Sequence, residues 1–99
     1  MRLLPRRPRR PDMRQLEVSL LRRQDCGLSE HAAAALSRIS HRVPLVVEQV
    51  DIDENEALQR RYFLEIPVVL VDGVEVARAP IRERALEDLM RELARVAED

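Results

Sequence analysis

A single cysteine, followed three positions later by a serine, carries the clearest chemical signal in this chain of 99 residues. Because Cys26 is the only cysteine, a disulfide framework and a multi-cysteine zinc site are both excluded. The segment Asp25-Cys26-Gly27-Leu28-Ser29 lies where a strand pattern gives way to a helix pattern. The free amide groups at the start of a helix favour a thiolate over a thiol, so Cys26 is the candidate nucleophile.

Ser29 occupies the position of the second cysteine in a Cys-x-x-Cys redox motif. Its hydroxyl can donate a hydrogen bond to a thiolate but cannot become a resolving sulfur, so the pair can attack a disulfide without closing one internally. Two roles for Ser29 stay open, the contact with the thiolate and the capping of a backbone amide. Cys26 also has an alternative role, as a packing residue or the remnant of a lost redox site. The charge of the neighbouring Asp25 opposes thiolate formation.

Charge is divided unevenly along the chain. Residues 1–14 carry a net charge of +5 and residues 15–99 a net charge of −6. The arginines and prolines of residues 1–14 predict a disordered arm. Its alternative role is that of an anchor for nucleic acid or anionic lipid. Residues 15–99 form one predicted domain. The acidic domain argues against a nucleic-acid partner. No apolar run approaches the roughly 18 residues of a membrane helix, so we expect a cytoplasmic protein without a membrane partner.

Apolar periodicity predicts an α/β fold with the element order βαβ(α)ββα. Alternating residues from Leu16 indicate a first strand, and a stripe from Leu28 to Ile39 indicates a helix. The β-branched run within residues 44–50 is typical of a buried strand in a parallel pair. The predicted architecture is a four-stranded mixed sheet with helices on both faces.

The second half of the chain contains three short signals for turns and helix starts. Asp53 and Glu56 have the spacing of a capping box, and Asp72-Gly73 is typical of a two-residue type I′ turn. Pro80 suits the first turn of a last helix. The apolar stripe of that helix consists of Ile81, Ala85, Leu86, Leu89, Leu93 and Val96.

Three blocks of residues resemble the glutaredoxins of the thioredoxin-like superfamily, and most closely small bacterial glutaredoxin-like proteins. The blocks are Asp-Cys-Gly-Leu-Ser-Glu-His-Ala at 25–32, Val-Asp-Ile-Asp at 50–53 and Glu-Ile-Pro-Val-Val-Leu-Val-Asp-Gly-Val-Glu-Val at 65–76. The resemblance covers about residues 16–95 and implies a thioredoxin-like fold.

The resemblance implies thiol–disulfide exchange by a monothiol route. The thiolate would attack a mixed disulfide, and a second soluble thiol would release the enzyme. Pro67 matches a cis-proline that faces the active cysteine, and the backbone of Ile66 would pair with an incoming peptide or glutathione. The implied site consists of catalytic Cys26 and Ser29 and of substrate-binding Gly27, Leu28, Ile66 and Pro67.

The expected partners are glutathione or another low-molecular-weight thiol as co-substrate and a disulfide-containing protein, with the chain a monomer or weak dimer. We expect no tightly bound cofactor and no metal, since His31 lies off the helix face of Cys26.

Two other functions stay open. One is a non-catalytic binding module that uses the Ile66 edge. The other is a glutathione-dependent iron–sulfur carrier, because the tetrapeptide also resembles the Cys-Gly-Phe-Ser of monothiol glutaredoxins; where those proteins carry a lysine, this chain has Arg22 and Arg23.

Overall fold

Strand β1 (Leu16–Arg22) is the central element of the computed structural model, which describes residues 12–95. Leu16, Val18 and Leu20 are buried in the core on one face of the sheet, and Leu21 is buried on the other. Because successive side chains of a strand point to opposite faces, apolar residues of both parities favour a position in the middle of a sheet covered on both sides.

Seven further elements follow β1 in chain order. They are helix α1 (Gly27–Ile39), strand β2 (Leu45–Asp51), a 3-10 turn (Ile52–Glu54), helix α2 (Glu56–Tyr62), strands β3 (Val68–Val71) and β4 (Val74–Arg78), and helix α3 (Glu83–Ala94). The sheet order is β2-β1-β3-β4, in which β1 is parallel to β2 and antiparallel to β3, and β4 is antiparallel to β3. The predicted element order and mixed sheet are confirmed.

Two apolar clusters hold the helices to the sheet. The larger cluster packs α1 and α3 on one face, and its core consists of Leu16, Val18, Leu20, Ala32, Leu36, Ile39, Val43, Val69, Val71, Leu86, Met90 and Ala94. The smaller cluster, on the other face, consists of Leu21, Ile52, Tyr62 and Val68 and includes α2. Helices therefore cover both faces, as predicted. Leu28 is 58% exposed and not part of the core, because it lies in the first turn of α1, before the helix enters the cluster at Ala32.

Strand β2 is more exposed than its sequence predicts. The parallel pairing with β1 is confirmed, but β2 lies at the edge of the sheet, and Val46 is 44% exposed. The prediction of a buried strand is wrong because an edge strand has a neighbour on one side only.

Helix α2 begins at a different cap from the predicted one. The Asn55 side chain accepts a hydrogen bond from the Leu58 N–H at 3.0 Å, so Asn55 is the N-cap. Asp53 belongs instead to the preceding 3-10 turn, where its N–H donates to the Asp51 carboxylate at 2.9 Å. The capping-box prediction is wrong because this extra turn separates β2 from α2.

Helix α3 begins three residues after Pro80, which lies in the preceding turn rather than in the helix. Leu86, Met90 and Ala94 form its buried stripe, four residues apart, whereas the predicted Ala85 is exposed. Val96, the last residue of the predicted stripe, lies outside the described residues.

The β3–β4 hairpin turns at Asp72 and Gly73, with φ of 52° and 83°. Positive φ at both positions is what a two-residue type I′ turn requires, which confirms the predicted hairpin. No helix within residues 12–95 is long and apolar enough to cross a membrane.

The predicted arm lies mostly outside the described residues, so its disorder stays a prediction. Its last two residues contact the domain. Met13 forms a β-bridge with Arg95, and Arg14 donates its N–H to the Ala94 carbonyl at 2.7 Å and pairs with Asp72 at 3.1 Å. The domain therefore begins no later than Met13, two residues before the predicted boundary.

Ion pairs join the outer sides of α1 and α3. Arg38 makes three hydrogen bonds of 2.7 to 3.1 Å to the Glu83 carboxylate. Beyond the end of α1, Arg42 binds both oxygens of Glu87 at 2.7 and 2.9 Å, and Arg91 binds Glu87 at 2.8 Å. The hydrogen bonds from Arg42, with a smaller contribution from Arg91, lower the pKa of Glu87 to about 2 against the opposing effect of burial.

We expect Glu87→Gln to lower the free energy of unfolding by about 1 kcal/mol at pH 7, because two guanidinium groups lose their carboxylate. The folded-state pKa is depressed, so this stabilisation is present above the unfolded-state pKa of about 4.3 and is lost as the pH falls towards about 2. Urea denaturation at pH 7, 4 and 2.5 measures the difference between wild type and variant.

Glu92→Gln is the matched control, since Glu92 lies on the same helix and pairs with Arg95 at 3.4 Å with both side chains about two-thirds exposed. Its effect should be close to zero. A Glu87→Gln effect equal to that of the control, or one undiminished at the lowest pH, would contradict the prediction.

Candidate functional site

The register of the sheet brings the two predicted parts of the site, the segment that follows β1 and the segment that precedes β3, to the same end of the sheet. Leu21 of β1 lies opposite Val68 of the antiparallel β3. The residues that follow β1, including Cys26, therefore lie at the same end of the sheet as Ile66 and Pro67, which precede β3. The Ile66–Pro67 peptide bond is cis, as the sequence resemblance implied.

Cys26 is the N-cap of α1, with an extended backbone at φ −116° and ψ 113°. Asp25 before it has a φ of 56°, a left-handed conformation in which the chain turns from β1 into the helix. The Cys26 carbonyl accepts the N–H of Glu30 at 3.0 Å, and the partly exposed side chain makes no capping hydrogen bond of its own. The sulfur is therefore accessible and adjacent to the amides of the first helical turn.

Polar groups around the sulfur lower the pKa of the Cys26 thiol. The Ser29 hydroxyl has the largest effect, followed by the Ser29 backbone amide, with smaller contributions from the Leu28 amide and the charge of Arg22, while burial acts in the opposite direction. Asp25 is exposed, and its expected opposition to thiolate formation stays a prediction; the net effect of the groups around the sulfur is a lowered pKa of the Cys26 thiol. The donors that favour the thiolate outweigh the burial that opposes it.

Ser29 is fully buried, and its hydroxyl oxygen accepts the N–H of Arg23 at 3.5 Å. The same side chain thus joins the end of β1 to the first turn of α1 and lies close enough to Cys26 to favour the thiolate. The amide that Ser29 binds belongs to Arg23, before the helix, so the contact is not the helix cap that the sequence left open; the N-cap is Cys26. Gly27 is exposed and Leu28 is largely exposed, beside the sulfur on the outer side of the helix start.

Arg22 and Arg23 lie on opposite sides of the strand end and have different partners. Arg22 donates to the Gln49 side chain at 2.6 Å and pairs with Glu30, which leaves its side chain 14% exposed. This contact was not expected from the sequence, because Gln49 and Glu30 approach Arg22 only when β2 and α1 pack on either side of β1. Arg22 is thereby fixed near the thiol, where its charge favours the thiolate.

A cavity of about 470 Å³ is lined by Arg23, Gln59, Arg60 and Phe63, and we name it the arginine pocket. The Arg23 guanidinium stacks 5.3 Å from the centroid of the Phe63 ring, and its Nε lies 3.3 Å from the Asp53 carboxylate. The backbone N–H of Arg23 contacts Ser29, so Arg23 connects this pocket to the first turn of α1. Arg61, by contrast, stacks on Tyr62 and does not line this pocket.

A second cavity of about 390 Å³ lies between the start of α1 and the segment before α3, and we name it the apolar groove. It is lined by Leu28, His31, Pro67, Ala79, Pro80 and Ile81. Of these residues the sequence analysis placed only Leu28 and Pro67 at the site. The others were missed because the segment 79–81 reaches the site through tertiary packing, in which the Ala79 N–H donates to the Pro67 carbonyl at 3.0 Å.

Among the turns and loops of residues 12–95, the backbone N–H and C=O of Ile66 make no hydrogen bond to another backbone group. Its side chain packs on the smaller apolar cluster, which holds the backbone in place. The unpaired N–H and C=O can therefore accept an added extended strand. Within the described part of the chain, no three His, Cys, Asp or Glu side chains are grouped so that they could hold a metal ion.

Comparisons with known proteins give the family and the fold of the chain. The sequence profile of a family described as the glutaredoxin-like domain (DUF836) matches residues 17–94. No curated protein matches the chain.

Several solved structures are similar in fold. A mutant thioredoxin from Halobacterium salinarum has a TM-score of 0.64 at 22% identity, over 86% of this chain and 80% of its own. The germline-specific thioredoxin Deadhead from Drosophila melanogaster has a TM-score of 0.59 at 23% identity, over 85% of this chain and 84% of its own. A structural-genomics target protein from X. campestris has a TM-score of 0.60 at 29% identity, over 73% of this chain and 92% of its own. These likenesses show a thioredoxin fold.

We expect Ser29→Ala to raise the pKa of Cys26, because the hydroxyl that most favours the thiolate is removed. Since only the thiolate reacts with iodoacetamide, the midpoint of the alkylation rate against pH should move to higher pH, and the rate at pH 7 should fall. Ser37→Ala, which changes an exposed serine of the same helix, should leave the midpoint in place. The prediction fails if the Ser29→Ala profile overlies that of the wild type while the variant remains folded by circular dichroism.

Proposed function

Because the chain belongs to the glutaredoxin-like domain family, we propose that it is a thiol–disulfide oxidoreductase that reduces mixed disulfides through Cys26 alone, as a monothiol variant of the family. The observation that carries the proposal is the accessible Cys26 thiol at the start of α1, with a pKa lowered by Ser29. A thiol of lowered pKa is more fully ionised at neutral pH and so better able to attack a disulfide. The reaction suits a reducing compartment such as the cytoplasm, where small thiols stay reduced.

In the first step, the Cys26 thiolate attacks the sulfur that a low-molecular-weight thiol contributes to a mixed disulfide. A bond forms between the two sulfurs as the original S–S bond breaks. The electron pair of the broken bond leaves on the sulfur of the protein substrate, which takes a proton from water. The Ser29 hydroxyl and the amides of Leu28 and Ser29 stabilise the attacking thiolate beforehand.

In the second step, another low-molecular-weight thiol loses its proton to water, and its thiolate attacks the small thiol's sulfur in the mixed disulfide on Cys26. The Cys26 thiolate is regenerated as the leaving group, and the two small thiols depart joined as their own disulfide. An outside thiol is required because Ser29 has no sulfur with which to displace the product. The protein substrate is reduced, and the small thiol is oxidised.

The arginine pocket supports glutathione, or another small thiol with carboxylates, as the co-substrate. Arg23 and Arg60 line it with two guanidinium groups, and guanidinium groups bind carboxylates in a forked geometry. Each already pairs with one carboxylate, Arg23 with Asp53 at 3.3 Å and Arg60 with Glu56 at 3.7 Å, and a co-substrate carboxylate would share these guanidinium groups. Gln59 adds a polar side chain to the same cavity. The unpaired backbone of Ile66 would orient the substrate as an added strand next to Pro67.

We expect Cys26→Ser to reduce the turnover of a peptide–glutathione mixed disulfide to the uncatalysed rate, since no other residue of the chain carries a thiol. The assay couples the glutathione disulfide that is formed to NADPH oxidation by glutathione reductase. Wild-type protein that is no faster than buffer would sink the oxidoreductase proposal and leave the non-catalytic binding module in its place.

We expect Arg60→Gln to raise the KM for glutathione about 3-fold, the effect of losing one exposed charge contact. The KM for 2-mercaptoethanol, which carries no carboxylate, should not change. Arg61→Gln is the matched control, because it removes the neighbouring guanidinium from outside the pocket. Equal effects of Arg60→Gln and Arg61→Gln on glutathione would show that the pocket does not bind the co-substrate.

A further inference from the structure

Helix α3 carries more apolar surface than the domain buries. Its buried stripe consists of Leu86, Met90 and Ala94, whereas Ala85 is exposed and Leu89 is only partly buried. Ala85 and Leu89 lie one turn apart on the side of α3 towards β4, where both line a cavity of about 230 Å³. This cavity is where the apolar stripe expected from the sequence extends beyond the core.

The cavity lies at an edge of the sheet. Strand β4 is the last strand in the order β2-β1-β3-β4, so no further strand of residues 12–95 covers this side of α3. Arg82 is the one charged residue of the lining, and the other residues are apolar: Val76, Ala77, Pro80, Ile81, Ala85, Leu86 and Leu89. Removing such side chains from water is favourable, so this edge favours a partner that brings apolar side chains of its own.

The side chains along this side of α3 follow a symmetric pattern. Four residues spaced by three, four and three positions form one row on the helix, namely Arg82, Ala85, Leu89 and Glu92. We name this row the α3 flank. Arg82 and Glu92 are equally far along the chain from the midpoint between Ala85 and Leu89. One half of the flank therefore has a cation and a small apolar side chain, and the other half has a large apolar side chain and an anion.

Both charges of the α3 flank are open to a partner. In the part of the chain that the structure describes, no carboxylate pairs with the Arg82 side chain, whereas the pairs of Glu83 and Glu87 join the other side of α3 to α1. Glu92 pairs with Arg95 at 3.4 Å, with both side chains about two-thirds exposed. A carboxylate from another molecule can therefore reach Arg82 without displacing an existing partner.

We propose that the α3 flank is the interface of a weak, two-fold symmetric dimer, in which α3 packs antiparallel on α3 of a second copy of this chain. Ala85 then lies opposite Leu89 of the second copy, Arg82 lies opposite its Glu92, and the two-fold axis makes each contact occur twice. A parallel arrangement would instead place like charges opposite each other, which is unfavourable. The inference goes beyond the proposed function and does not rest on it, because Cys26 is not part of the α3 flank.

The two kinds of contact have different effects. The small and large apolar side chains fit together as in an antiparallel pair of helices and supply the affinity. The ion pairs are exposed, so they fix the orientation of the two copies more than they add affinity. Because only about three turns of helix take part, the interface is small, and we expect a dissociation constant of about 10 to 100 µM.

The test is sedimentation velocity of the full chain from about 5 to about 500 µM, a range that brackets the expected dissociation constant. A reductant is present, so that no disulfide joins two copies through Cys26. The weight-average mass of the wild type should rise from that of one chain towards that of two. Cys26→Ser, which abolishes turnover under the proposed function, should dimerise like the wild type.

Exchange of the two charges tests the interface itself. Arg82→Glu and Glu92→Arg should each weaken the dimer about 10-fold or more, because each places like charges opposite each other twice, and the double variant should restore it. Arg84→Glu is the matched control, since it makes the same change of charge at another exposed arginine of α3, outside the flank.

Three results would overturn the inference. The first is a wild type that stays monomeric throughout the range, which would mean that another partner, or none, covers the α3 flank. The second is a double variant that is folded by circular dichroism but no more dimeric than the single variants. The third is a control, Arg84→Glu, that weakens the dimer as much as Arg82→Glu. None of these results bears on the turnover of mixed disulfides, so the proposed function is tested separately.

Discussion

The antiparallel register between β1 and β3 is the constraint on which the whole site depends. Because Leu21 is opposite Val68, the loop after β1 and the cis peptide bond before β3 lie at the same end of the sheet. Apolar residues on both faces of these two strands set that register. A shift of β3 by one residue would move Val69 out of the larger cluster and Val68 out of the smaller one, each to the opposite face of the sheet. The position of the thiol relative to Pro67 is therefore maintained by the core and not by contacts within the site.

The parallel pairing of β1 with β2 has a second consequence for chemistry. A parallel pair needs a crossover, and here the crossover is α1, so a helix N-terminus follows β1 directly. Cys26 occupies that N-terminus, next to amides that have no partner within the helix. Arg22, the last residue of β1, is fixed by Gln49 of β2 and by Glu30 in the first turn of α1. The electrostatic environment of the thiol is thus a product of the topology.

Sequence patterns predicted the parts of this protein that depend on local periodicity and turn chemistry. The order of elements along the chain, the hairpin at Asp72-Gly73 and the helix that begins after Cys26 follow from alternation, positive-φ residues and apolar stripes. The errors concern contacts between elements. An apolar run cannot show whether β2 is central or at an edge, and the spacing of Asp53 and Glu56 cannot reveal an intervening 3-10 turn. For the same reason the apolar groove was found only in part, since residues 79–81 are distant in sequence from Cys26 and join it through the Ala79 hydrogen bond to Pro67.

Ser29 connects the structural and chemical requirements of the site. Its hydroxyl is fully buried and accepts the Arg23 N–H, so the chain needs a polar atom there to hold the end of β1 against α1. The same hydroxyl has the largest influence in lowering the Cys26 pKa, so a side chain that holds the fold together also favours the thiolate form of Cys26. Because that side chain is a hydroxyl rather than a thiol, a disulfide formed on Cys26 cannot be resolved within the domain. Any mixed disulfide formed on Cys26 could therefore be resolved only by a thiol of another molecule, because the sequence contains no second cysteine.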